Sequence, residues 1–69
     1  MTTFLMSSRV TWTEAQRQLS AAGFEAEKGT RRPGEKGEVL VVDNEDRDAD
    51  KVKKIVRTVD AAAKTRHDM

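Results

Sequence analysis

The sequence predicts a small α+β domain whose elements run β-α-β-β-α, and three stretches carry that prediction. Val39, Leu40, Val41 and Val42 form the only run of four large apolar residues, which marks an inner strand. Trp12, Ala15, Leu19 and Ala22 fall at i, i+3, i+7 and i+10, one stripe of a helix. Val52, Ile55, Val56 and Val59 fall at i, i+3, i+4 and i+7, the buried face of a second helix. Strands and helices in that order pack as a layered sandwich around one core.

The chain begins with residues 3–7, TFLMS, short, apolar and β-compatible, read as the first strand. Thr11-Trp12-Thr13-Glu14 fits the capping-box pattern, which would start the first helix at Thr11. Gly23 suits the left-handed position after a helix, with Phe24 folding back on the last turn. Residues 24–28 alternate apolar and polar, as a half-exposed strand does. A loop follows at 29–37, GTRRPGEKG, with Pro33-Gly34 as its turn centre. Residues 38–42 supply the third strand. The acidic turn 43–50 leads into the second helix, which should begin at Asp46 or Asp48, where acids favour the positive helix end. That helix should run to Ala61, Ala62 and Ala63, with Lys64 and Arg66 as cations at its negative end and a frayed tail from about residue 65.

The right-handed crossover rule makes the first two strands parallel, with room for the third between them. The expected sheet is therefore three-stranded and mixed, with two helices on one face. In element order it resembles the ferredoxin-like, split β-α-β arrangement lacking its fourth strand. An open edge on the first strand, carrying Phe4, Leu5 and Met6, would follow.

Composition narrows the function. Sixty-nine residues, 36% hydrophobic and 36% charged with a net charge of +1, make one domain, 1–69, with a thin core. Such a domain gains from association. The absence of cysteine removes disulfides and thiolate metal sites. The opening MTTFLMSSR lacks the basic start and long apolar run of a secretory signal, and no stretch approaches a membrane span, so the reading is cytoplasmic with no membrane partner.

No motif announces a reaction. The acidic turn places Asp46, Asp48 and Asp50 at alternate positions, but an EF-hand loop needs Gly and Glu where Lys51 and Arg57 stand. The loop 29–37 is not a P-loop, since no Lys-Ser or Lys-Thr pair follows at the required spacing. His67 is the single histidine and lies in the tail, and Ser7, Ser8 and Ser20 have no neighbouring base in sequence. No catalytic residue, metal or cofactor is expected.

Two binding readings remain. The first is a non-enzymatic interaction module that forms a homodimer or docks on a protein partner through Phe4, Leu5, Met6, Val39 and Val41. The second is a nucleic-acid accessory protein that uses Lys28, Arg31, Arg32 and Lys36 of the basic loop with Lys53 of the second helix. Glu25, Glu27 and Glu38 flank that loop, and the strands lack the aromatics on which bases stack. Those features favour the protein partner. Trp12 is expected as a core anchor, the usual place for an aromatic on an apolar stripe.

Overall fold

The computed structural model describes residues 1–66; the expected fraying of His67 to Met69 lies outside them. Strand β1 (Thr2–Met6) leads into helix α1 (Arg9–Ala21), then come strands β2 (Glu25–Lys28) and β3 (Glu38–Asp43). A 3-10 turn (Asp46–Asp48) precedes helix α2 (Ala49–Val59), and strand β4 (Lys64–Arg66) closes the described chain.

Both ends of α1 are fixed by local chemistry. Its cap is Ser8, three residues before the expected Thr11. The Ser8 hydroxyl accepts the Thr11 amide at 3.3 Å, and the Thr11 hydroxyl accepts the Ser8 amide at 3.3 Å. A hydroxyl therefore fills the role assigned to Glu14, which instead faces Arg17 at 3.3 Å along the helix. At the other end Gly23 adopts φ +93, and the Phe24 amide donates to the Leu19 carbonyl at 2.8 Å. This is the expected stop.

The second helix departs from expectation at its end. It stops at Val59, and Asp60 leaves helical geometry at φ −142. The Ala63 amide then donates to the Asp60 carbonyl, a turn that sends the chain back along the sheet. Lys64, Thr65 and Arg66, read from sequence as a helix end with cations at 64 and 66 running into a frayed tail from about residue 65, instead form β4 and pair antiparallel with β1, opposite Leu5, Phe4 and Thr3. The sheet thus has four strands in the order β2-β3-β1-β4, not three. Every neighbouring pair is antiparallel, so the sheet is not mixed. The placement of the third strand between the first two holds.

Register assigns the faces. Phe4 lies opposite Leu40 and Thr65, and Ala26 opposite Val42, all on the face that carries the helices. Phe4, Met6, Leu40 and Val42 join Ala15, Leu19, Val52 and Val56 in one buried cluster, with Trp12, Phe24 and Ile55 packed against it. Fully burying each large apolar side chain contributes about 1.5–3 kcal/mol. Trp12 also donates its indole N–H to the Val39 carbonyl at 2.8 Å, tying α1 to β3. The outer face carries Thr3, Leu5, Val39, Val41, Glu25 and Glu27.

Candidate docking surface

The edge expected to be open is closed. β4 occupies the free side of β1, and Phe4 and Met6 point into the core with 0% and 1% exposure. They cannot touch a partner while the domain stays folded. The physical reason is the turn at Asp60, which makes a strand of three residues too short to declare itself by periodicity. Leu5 alone of that trio is half-exposed on the outer face.

The loop 29–37 covers part of that face. Gly29 lies so close to β3 that a Cβ there would stand 2.6 Å from the Val39 Cγ1 and 2.8 Å from the Val41 Cγ2. Farther along, Arg66 of β4 donates to the Thr30 carbonyl at 2.9 Å and grips the Glu35 carboxylate with both Nε and Nη2. The loop therefore crosses β3 and β1 to reach β4. Val39 is left 2% exposed, and Val41 stays half-buried. Hydrogen bonding to the Arg66 guanidinium, then to the Arg32 amide, holds the Glu35 carboxyl below its ordinary value of 4.5. Gly37, at φ +91, passes directly over the Met6 carbonyl.

A second polar junction ties α2 to the start of α1. The Asp60 carboxylate accepts the Ser7 amide at 2.7 Å, the Ser7 hydroxyl at 2.8 Å, the Thr11 hydroxyl at 3.0 Å and the Ala62 amide at 3.1 Å. Burial pushes this carboxyl up, but the four donors together outweigh it and hold it below the ordinary aspartate value. All four donors belong to the fold, so the group is structural.

The five cations of the nucleic-acid reading are divided. Arg31 donates to the Gly37 carbonyl at 3.4 Å, and the Arg32 amide donates to Glu35 at 2.7 Å; both belong, with Lys36, to the loop over the outer face. Lys28 stands 3.8 Å from Glu38. Lys53 belongs to α2, in the helical layer behind the opposite face. The outer face itself presents Glu25, Glu27 and Asp43 around Val41.

The surface that sequence reasoning missed is the outer edge of β2. Glu25–Lys28 is one of the two terminal strands of the sheet, β4 being the other. The Gly29 amide donates to the Val39 carbonyl, and in an antiparallel ladder such inward-bonding residues alternate with outward ones. Glu25 and Glu27 therefore bond to β3, while Ala26 and Lys28 direct N–H and C=O away from it. The Gln16 side chain of α1 corroborates this by donating to the Ala26 carbonyl at 3.0 Å. Gln16, Ser20, Phe24 and β2 line a shallow groove of about 340 Å³ along that edge. The expected order already left β2 at an edge; reading 64–66 as a strand would have closed β1 and left β2 and β4 as the two edges. A four-residue strand rich in charge is how such an edge is usually written.

Comparison with known protein families, characterised proteins and solved structures finds no match. Among the described residues, no helix is long and apolar enough to cross a membrane.

Proposed function

We propose that this protein is a non-enzymatic interaction module that docks an extended segment of a protein partner along the free edge of β2. The observation that supports this reading is the pair of outward-facing backbone units at Ala26 and Lys28, set beside the groove lined by Gln16, Ser20 and Phe24. An added strand would gain main-chain hydrogen bonds there, and its alternate side chains would enter the groove. Gln16 would yield the Ala26 carbonyl to the incoming amide. The strand order is the one a ferredoxin-like sandwich has when its fourth strand is present, and in that layout β2 is a terminal strand. The cysteine-free composition supports a cytoplasmic setting.

Selection from a random octapeptide library tests the reading. Ala26→Pro deletes an outward N–H while leaving the ladder to β3 intact, a change that edge strands tolerate. The expected binders shift the amides of 24–28 in NMR spectra and lose affinity for Ala26→Pro. Binders that map to the loop or to α2, and are indifferent to Ala26→Pro, would overturn it.

A further inference from the structure

We infer that the segment docked on β2 is basic at alternate positions, with Lys or Arg on the outer face and small or apolar residues on the helical face. The inference rests on the edge reading above and adds the chemistry of the partner.

A strand laid beside β2 continues both faces of the sheet, so its side chains meet those of β2 across the new ladder. On the outer face these are Glu25 and Glu27, both exposed. Asp43 lies directly opposite Glu25, a like-charge pair already built into the hairpin. Neither glutamate forms an ion pair with the described residues. Lys28 falls on the other face by alternation and stands against Glu38. Met1 borders the same hollow, and its ammonium donates to the Asn44 carbonyl at 2.9 Å. Cations on an added strand would therefore face Glu25 and Glu27 and relieve the repulsion from Asp43.

The helical face asks for something else. Ala26 is small, and the Lys51 ammonium stands 5.9 Å from the centre of the Phe24 ring that lines the groove. A second cation entering on that side would meet Lys51. Basic residues thus fit one face only, which gives the alternating pattern.

A second copy of β2 does not meet this requirement. Antiparallel self-pairing with Ala26 opposite Lys28 sets Glu27 against Glu27. Pairing Ala26 with Ala26 sets Glu25 against Glu27, and pairing Lys28 with Lys28 opposes the two ammonium groups. Each register places like charges face to face, an arrangement that edge strands use against self-association.

The test uses the full chain and three capped octapeptides followed by NMR titration. One alternates lysine with threonine or valine; one replaces each lysine by glutamate; one keeps the lysines but has proline at two central non-lysine positions. The lysine peptide should shift the Ala26 and Lys28 amides and bind at least about tenfold more tightly than the glutamate peptide, with the preference falling as salt rises. The proline peptide should not bind, and Glu25→Lys with Glu27→Lys should reverse the charge preference. Equal binding of the lysine and glutamate peptides at 24–28 would overturn the charge assignment and leave the edge reading standing. Lysine-peptide binding that leaves 24–28 unshifted, or that survives the prolines, would overturn both. Failure of all three peptides while library-selected peptides still dock on β2 would overturn the basic pattern alone.

Discussion

Arg66 and Glu35, 31 residues apart, join the last described residue of the sheet to the loop over its outer face. The Arg66 Nε donates to the Glu35 Oε2 at 3.0 Å, and Nη2 donates to Oε1. The two side chains are only 12% and 17% exposed, so the pair is sheltered from solvent as surface pairs are not. One fork-shaped contact thus pins the loop and anchors β4. Glu35→Gln keeps the shape and removes the charge. It should raise amide exchange across 30–36 and tryptic cleavage at Arg31 severalfold, with little change in exchange at Leu40 and Val42.

β4 can be checked through Thr65. Its hydroxyl is buried opposite Phe4 and has no hydrogen-bond partner among the described residues. Thr65→Val keeps the volume and removes an unsatisfied polar group, so it should stabilise the domain by about 1 kcal/mol. Urea unfolding followed by the fluorescence of Trp12 measures this. A residue in a frayed tail would give no change.

Asp60 should give the domain an acid-sensitive joint. Its folded carboxyl titrates below the ordinary value of 3.8, so its stabilisation is complete above that value and is lost as pH falls through the lower folded one. Glu35 acts with the same sign below 4.5. Asp60→Asn should cost about 1.5–3 kcal/mol at neutral pH, the range for hydrogen bonds to a charged group. The gap from the parent protein should close as pH drops through the acid range, measured by urea midpoints at several pH values.

Two glycines with similar backbone angles should respond differently. A Cβ on Gly37 would overlap the Met6 carbonyl oxygen, whereas one on Gly34, at φ +85, meets nothing within 4 Å. Gly34→Ala should cost about 1–2 kcal/mol, the penalty for left-handed backbone alone. Gly37→Ala should cost clearly more, since two backbone segments must part. Chemical denaturation of the two variants side by side decides it.

Much of this architecture is legible in the sequence, and the exceptions have identifiable physical causes. The valine run and the Gly23 stop declared themselves because each is local and chemically specific. Lys64, Thr65 and Arg66 did not, since their strand geometry comes from pairing with β1, some 60 residues away. That one omission left a false edge on β1, and it turned Phe4 and Met6 from core residues into expected contacts. Ser8 was overlooked because Thr11 with Glu14 offered an equally regular capping pattern three residues on. The groove along β2 was illegible for a different reason. It depends on Gln16 of one element meeting Ala26 of another, a relation no spacing rule encodes.

Docking along β2 requires the outward amides of Ala26 and Lys28 to be unbonded, and amide hydrogen exchange in the free protein reads this directly. The Ala26 and Lys28 amides should exchange quickly, while Glu27 and Gly29, bonded to Val41 and Val39, exchange slowly. Slow exchange at Ala26 and Lys28 in the free protein, or rapid exchange at Glu27, would contradict it.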